Sequence, residues 1–380
     1  RSTAQPPCII DLRRLTQPQD VHGDNLTATI GAGMSLADLD ALLAAEGLCW
    51  PVERLEGLTP TVGGTVATAA AGPSRRAIGP TARWVLGAEV VTAQGEVVHA
   101  GGRTVKNVAG YDLTRMLVGS WGTLGLFTAV TLRLAARPAA TRSLLLTFAG
   151  PSAVSGAAAA LADHPLGAGG GELLDATILD QCVPALPGAM PAESEGGPAE
   201  WALLVRAEGH EERVAGLERA AQEIARRHGG RGRALDDDAA APFWRARSEA
   251  WRPREASVVR GTWTIPLGGL AAALTMLPQL LPASALVEHR ISGHAGDGIL
   301  HVVLQPRDGH DRQEFVPAAG RCIIALRAAA AALGGSWRTE LAPDEVWSRA
   351  GADPLVARQR LFDRFRAAAD PEGIFSPAIE

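Results

Sequence analysis

The sequence predicts an α+β protein of two domains. Its 380 residues are too many for one ordinary core. Strand-like runs folded around a short turn mark the first third. Strand and helix patterns then alternate weakly but repeatedly, as in an antiparallel sheet with helices on one face. With 47% hydrophobic and 20% charged residues the chain can bury substantial cores, and its 43 Gly and 25 Pro point to many turns rather than to disorder.

Taken in order, residues 26–31 read as a strand. Ser35-Leu36-Ala37-Asp38 opens a helix with a capping-box-like start, apolar at Leu36, Leu39, Leu42 and Leu43 and stopped near Gly47. Residues 58–73, "LTPTVGGTVATAAAGP", lack bulky side chains, so their backbone can approach a ligand or pack as a small-residue helix. Residues 84–92 and 96–101 form a hairpin around Ala93-Gln94-Gly95. A helix-like stretch over 104–117 leads into the loop "GSWGTLG" (119–125), and a strand follows over 126–134. "ARPAATR" (136–142) reads as a domain junction.

Beyond it, strands are expected near 143–148, 201–207, 257–266, 285–291 and 299–305. Helices are expected near 154–163, 211–228, 268–281 and 318–333. Residues 186–200 and 234–242 read as exposed loops.

Composition excludes several functions. A net charge of −5 and the lack of a basic run interleaved with aromatics argue against nucleic acid. Cys8, Cys49, Cys182 and Cys322 stand singly, without the spacing of zinc or iron–sulfur ligands, and read as buried thiols in a reducing cytoplasm. No apolar run is read as long enough to span a bilayer, and no secretory pattern opens the chain, which begins with Arg rather than Met.

One stretch defies the composition. "VKNVAGYDL" (105–113) holds the only Lys, the only Tyr and one of two Asn in a chain with 35 Arg. Residues that escape such a bias together point to a local requirement. The two small-residue loops match neither GxGxxG after a first strand nor a P-loop. Bare backbone N–H groups beside Thr61, Thr65, Ser120 and Thr123 would suit a ligand with a pyrophosphate and a flat ring.

"TVGGTVATAAAGPSRR", "VLGAEVVTAQGEVVHAGG", "TVKNVAGYDLTRMLVGSWGTLGLFTAVTLRL" and "DPEGIFSP" together resemble the FAD-linked oxidase family of the vanillyl-alcohol oxidase and p-cresol methylhydroxylase (PCMH) type. Within that family the pattern is most similar to the second of the FAD-binding subunits of glycolate oxidase. The resemblance is dense over 11–138 and patchy to 380. It implies a two-subdomain PCMH-type FAD-binding domain over 1–137 and a C-terminal cap domain over 138–380. FAD would be bound non-covalently in the cleft between the two subdomains, with the cap over its isoalloxazine ring.

The resemblance assigns Gly63, Gly64, Thr65 and Gly72 to one side of the flavin. Gly119, Ser120, Gly122, Thr123, Leu124 and Gly125 take the other side. Lys106, Asn107, Gly110, Tyr111 and Asp112 fall in the helix presenting the second loop, and either touch FAD or brace it. Bracing is the expectation for Tyr111 and Asp112, since a buried hydroxyl and carboxylate each need partners.

Two departures stand beside these matches. The family's N-terminal Gly-rich loop of the RGGGT kind has no counterpart, because the chain opens where the next strand, "CIIDLRRLT", belongs. Either the N-terminal subdomain is truncated or the FAD site lacks that element. Trp121 stands where self-sufficient 2-hydroxy-acid dehydrogenases of the family have Glu, which favours the subunit reading.

In the cap, "GHAGDGILH" (293–301) is similar to the GHxGDGNLH of lactate, 2-hydroxyglutarate and glycolate dehydrogenases. His294 and His301 are thus the candidate catalytic residues. The family's later Glu-His-Gly run is missing, with "GGSWRTELAPDEVW" in its place, so no metal is expected. His294 and Asp297 then hold a turn and His301 packs on a strand. Arg260, Arg290 and Arg338 are candidate carboxylate clamps.

The resemblance implies an FAD-binding subunit of a complex oxidising glycolate or another small 2-hydroxy acid, with a catalytic FAD subunit and an iron–sulfur subunit as partners. Its implied location is cytoplasmic, with association at the inner face of the membrane open through those partners. A self-contained D-lactate-type dehydrogenase and a flavin-free structural subunit stay open as alternatives.

Overall fold

The structure is a computed structural model that describes residues 8–52, 59–72, 74–102, 111–167, 171–186, 193–194, 197–251, 258–281, 286–307, 312–351 and 356–375. Its first part contains β1 (Pro18–His22), β2 (Thr27–Gly31), α1 (Leu36–Ala44), β3 (Leu48–Cys49), α2 (Val62–Thr68) and α3 (Arg75–Ile78). β4 (Val85–Val91), β5 (Val97–Gly101), α4 (Leu113–Leu117) and β6 (Leu126–Arg133) follow. Five of these strands form an antiparallel sheet in the order β1-β2-β6-β4-β5.

Local chemistry accounts for the elements that carry the site. Ser35 accepts the Asp38 N–H at 3.0 Å and donates to its carboxylate at 2.7 Å, which starts α1. α1 then buries Leu36, Leu39 and Leu43. α2 buries Val62 and Val66 against Ile30, Val130 and Leu132 of the sheet.

The second part begins with β7 (Ala135–Ala136), β8 (Ala140–Phe148), α5 (Pro151–Ala162), β9 (Glu172–Asp175) and α6 (Ala176–Cys182). The short β10 (Glu193–Ser194) and β11 (Gly197–Pro198) precede β12 (Trp201–Gly209), α7 (Glu211–Arg227), β13 (Arg231–Asp236) and α8 (Asp237–Ala250). β14 (Val259–Thr264), α9 (Leu270–Leu280), β15 (Val287–His294), β16 (Ile299–Pro306) and α10 (Arg312–Ala332) continue the alternation. β17 (Ser336–Leu341), α11 (Asp344–Ala350) and α12 (Val356–Ala369) complete it. Eight strands pair antiparallel in the order β13-β8-β12-β9-β15-β16-β14-β17.

The expected helical layer covers one face, where Leu144, Leu203, Trp263 and Val302 pack against α5, α7, α9 and α10. The opposite face is divided. Over β13, β8, β12 and β9 it buries Leu235, Leu145, Leu204 and Leu174 beneath Ile178 of α6 and Phe243 of α8. Residues 234–242, expected as an exposed loop, are the end of β13 and the start of α8, with Leu235 and Ala240 buried while Asp236, Asp238 and Pro242 stay exposed. Asp236 is the N-cap of α8 and Asp238 lies in its first turn, where a carboxylate is favoured by the helix dipole.

Over β15, β16, β14 and β17 the same face turns polar. Alternation along β14 sends Val259 and Trp263 into the helical core and leaves Arg260 and Thr262 on the other side. Ser292 and His301 are register partners, as are Thr262 and His301, and Thr262 and Arg338. One half of a sheet face thus collects the cap's polar side chains.

Among the described residues α10 is long and apolar enough to cross a bilayer, which the sequence reading did not find. Its Phe315, Ala319, Ile323 and Leu326 are buried in the cap core instead.

The sheet is tight beside the polar half. A Cβ on Gly261 would stand 2.2 Å from Cζ2 of the buried Trp337. Gly261→Ala is expected to cost about 1–3 kcal/mol of stability by overpacking, read as a lower midpoint of thermal unfolding.

Candidate functional site

The two small-residue segments, about sixty residues apart in sequence, meet in the structure. Thr61 caps α2 by accepting the Gly64 N–H at 3.1 Å. The 119–125 loop then docks on the other end of the helix, with the Gly119 N–H on Val66 O at 3.0 Å and the Trp121 N–H on Ala67 O at 2.8 Å. Gly119 is in a left-handed conformation (φ +81°), and a Cβ there would lie 3.2 Å from that of Ala69. Trp121 is left-handed too (φ +56°) and exposes its indole.

The first-turn N–H groups of α2 are not bare, as the sequence reading had them. Those of Val62, Gly63 and Thr65 donate to Met34 O, Ala32 O and Thr61 O, and Gly64 donates to Thr61 Oγ1. The helix therefore offers a ligand its small-residue surface. Gly63 is required by packing, since a Cβ would sit 2.7 Å from that of Ala32. Gly64 is exposed and would touch only Thr61 Oγ1, at 3.2 Å.

In the second loop the side chains of Ser120 and Thr123 are buried, and Thr123 Oγ1 donates to Ser120 O at 2.6 Å. Ser120 Oγ has no partner, and the Gly122 N–H makes no backbone hydrogen bond among the described residues. Leu124 packs on the first core, and Gly125 lies close to Val90, so their side-chain positions serve the fold.

Asp112 braces the approach to this loop as the N-cap of α4, accepting the Arg115 N–H at 3.1 Å. Tyr111 does not: it is 94% exposed, and its hydroxyl needs no buried partner. Lys106, Asn107 and Gly110 lie outside the described residues.

The cap reaches the first loop through "GHAGDG". The His294 ring stands against the Gly72 backbone, which slightly favours its charged form. Its Nδ1 is buried without a hydrogen-bond partner among the described residues. Arg75 pairs with Asp297 at 3.4 Å, and Arg76 donates to Gly296 O at 2.9 Å. His294 and Asp297 thus hold the seam between loop and cap.

His301 stands in the polar half of the sheet, its ring 5.4 Å from that of His294 and 6.1 Å from Trp251, edge-on to both. Its Nδ1 lies 3.1 Å from Thr262 Oγ1, which donates to Glu340 Oε1 at 2.7 Å. Arg338 donates to the same oxygen at 3.0 Å. Burial raises the Glu340 carboxyl, but the bonds from Thr262 and Arg338 outweigh it and hold the group below its ordinary range. Burial, together with nearby arginines, pushes His301 down to about 4 and His294 to about 3, so both rings are neutral near pH 7.

The candidate arginines differ. Arg290 is fully buried and spends itself on Ala250 O at 2.7 Å and Glu288 at 3.1 Å. Arg338 is committed to Glu340. Arg260 makes no hydrogen bond or ion pair among the described residues, and its Nε is buried without a partner. Burial depresses this guanidinium, with only the charge of Glu340 opposing. Arg247, whose charge also reaches His301, forms a buried ion pair with Glu172. Among the described residues no group of three or more His, Cys, Asp or Glu is placed to hold a metal ion.

Sequence reasoning missed Thr262, Glu340, Trp251 and the Arg247–Glu172 pair. Glu340 alone carried a signal, its place inside "GGSWRTEL" where a Glu-His-Gly run was sought.

Residues 2–101 match the family model described as FAD binding domain, and residues 137–340 match FAD linked oxidases, C-terminal domain. Over 120 residues the chain is 40% identical to glycolate oxidase subunit GlcE of Escherichia coli, covering 31% of this chain and 34% of that protein. Over 321 residues it is 29% identical to the probable mitochondrial D-lactate dehydrogenase of Danio rerio, covering 80% of this chain and 61% of that one. The chain therefore spans less than two thirds of either relative. The solved structure of an alkyldihydroxyacetonephosphate synthase superposes with a TM-score of 0.66 at 14% identity, covering 96% of this chain and 66% of that one, which is a likeness of fold. With more than half its length matched by the cap-domain model, the chain belongs to the FAD linked oxidases.

Proposed function

We propose that this chain binds FAD non-covalently and takes part in oxidising a small 2-hydroxy acid, as the FAD-binding subunit of a glycolate-oxidase-type assembly. Residues 1–137 would hold the cofactor and 138–380 would cap it. The observation that carries this reading is Arg260, a partly buried cation whose side chain has no partner among the described residues, on the sheet face that also presents a neutral histidine. Such a cation asks for an anion, and a carboxylate fits its planar fork.

The residues present suit FAD. Ser120 Oγ and the Gly122 N–H are unspent donors, and exposed Gly64 and Ala69 give a flat ring room to approach. When bound, FAD supplies the two-electron oxidant that takes the hydride from the carbinol carbon. On this chain, Arg260 holds the substrate carboxylate and His301 accepts the hydroxyl proton. The contacts of Arg75 with Asp297 and of Arg76 with Gly296 keep cap and loop in register across the site.

The subunit role draws on the similarity to GlcE and on Trp121. Partners would be a catalytic FAD subunit and an iron–sulfur subunit, in the cytoplasm or at the inner face of its membrane. A second reading, a self-contained dehydrogenase, is favoured by the presence of Arg260 and His301 on one chain.

The visible spectrum of the purified chain, followed anaerobically with glycolate or D-lactate, separates the two. Bleaching of the isolated chain supports self-contained action, bleaching only with partner subunits supports the assembly, and a colourless intact protein overturns both. Gly64→Leu is expected to abolish flavin retention while the fold persists, since Gly64 is exposed and an added Cβ meets only Thr61 Oγ1. Full occupancy in that variant would sink the cleft assignment.

A further inference from the structure

His301 sits at one end of a hydrogen-bond chain that decides which of its nitrogens is free. We propose that Thr262 is a positioning residue that fixes His301 as the Nδ1–H tautomer and leaves Nε2 as the proton acceptor of the oxidation. This inference rests on the 2-hydroxy-acid reading above.

The assignment follows from proton counting. A threonine hydroxyl has one proton to give. The Glu340 carboxylate takes hydrogen bonds from both Thr262 and Arg338 and has no proton of its own to offer, so the threonine proton points at Glu340. At 3.1 Å from Nδ1, Thr262 Oγ1 can then only accept. Nδ1 must carry the hydrogen, and in a neutral imidazole that leaves Nε2 with a lone pair.

Nε2 has no hydrogen-bond partner among the described residues. It is the nitrogen left for a substrate hydroxyl.

Strand order builds this chain. β14 lies between β16 and β17, and Thr262 is the register partner of both His301 and Arg338. The three side chains project from adjacent strands of one sheet face, so their spacing is set by backbone pairing. Trp251 and His294 hem the ring from two sides.

The proton released as the 2-hydroxy acid becomes a 2-oxo acid goes to Nε2, while the hydride leaves to the oxidant named above. The imidazolium so formed still donates Nδ1–H to Thr262, with the Glu340 carboxylate one bond away to offset its charge.

Two measurements on the full-length protein test this. Nitrogen NMR of the histidine-labelled chain, with the His301 signals identified by their loss in His301→Asn, is expected to show Nδ1–H in the wild type and in Thr262→Ser. Thr262→Val should show Nε2–H or a mixture. In steady-state turnover of the flavin-loaded protein with glycolate or D-lactate, Thr262→Val is expected to lose roughly 10- to 100-fold in kcat with KM little changed, and Thr262→Ser to restore it.

A wild-type Nε2–H tautomer, or a Thr262→Val protein with unchanged tautomer and kcat, overturns the proposal. If no 2-hydroxy acid is oxidised at all, the functional reading falls, and the spectrum still decides the tautomer assignment. Should Thr262→Val fail to fold, the wild type and Thr262→Ser carry the test.

Discussion

His301→Asn is expected to lower kcat for 2-hydroxy-acid oxidation by about 10²- to 10⁴-fold, the usual worth of a positioned general base. KM should move little, because the clamp proposed for the substrate carboxylate is Arg260. The pH dependence carries the same claim. Burial first, then the charges of Arg247, Arg260 and Arg338, push the wild-type ring down to about 4, so the acid limb of the kcat/KM profile should fall near pH 4 rather than near 6.5. A wild-type profile already lost at pH 6 would exclude His301 as the base.

Stability gives a second readout with a fixed sign. Between pH 6.5 and about 4 the unfolded chain takes up a proton that native His301 refuses. The native state therefore loses stability on acidification across that window, by up to about 1.4 kcal/mol per pH unit. His294, at about 3, acts in the same direction, and Asp175, pushed up by burial to about 7, acts oppositely. The Asp175 contribution is common to the wild type and His301→Asn, whereas His294 is depressed in part by His301 and is relieved in the variant, a change of the same sign. The difference between the two proteins thus reports His301 together with its effect on His294, and chemical unfolding across this window measures it.

What the sequence showed of this site follows from how each part is encoded. The α1 cap, the 85–101 hairpin and the amphipathic α7 are local patterns, and they fold as read. The acidic start of α8 is also local but ambiguous, because Asp237, Asp238 and Pro242 suit a turn as well as a helix. β9 hides for another reason: both faces of its four residues are buried, so no alternation marks it.

The chemistry divides in the same way. His294 and His301 were visible because one nine-residue motif carries both. Thr262 lies 39 residues from His301 and 78 from Glu340, and only the order β16-β14-β17 brings them together. Rarity misled at Tyr111, which is exposed. Among 35 arginines, nothing local separates Arg260, whose side chain has no partner among the described residues, from Arg290, which is spent on Ala250 and Glu288.

Arg260→Met should separate binding from folding more cleanly than any other change in the site. With the guanidinium gone, KM for a 2-hydroxy acid is expected to rise about 100-fold, the scale of losing a charge-assisted bond to a desolvated carboxylate, with kcat nearly kept. Thermal stability should hold or increase. The native protein keeps partly out of water a cation that no described residue pairs, and methionine removes that cost while filling similar volume.

A structural arginine would behave in the opposite way, losing stability on truncation, as expected of Arg247 with its buried Glu172 partner. Arg260→Lys should fall between, because an ammonium keeps the charge without the planar fork. An unchanged KM would remove Arg260 from the substrate, and a lower unfolding temperature would show that it braces the sheet. Only raised KM together with undiminished stability fits a cation whose partner is the ligand.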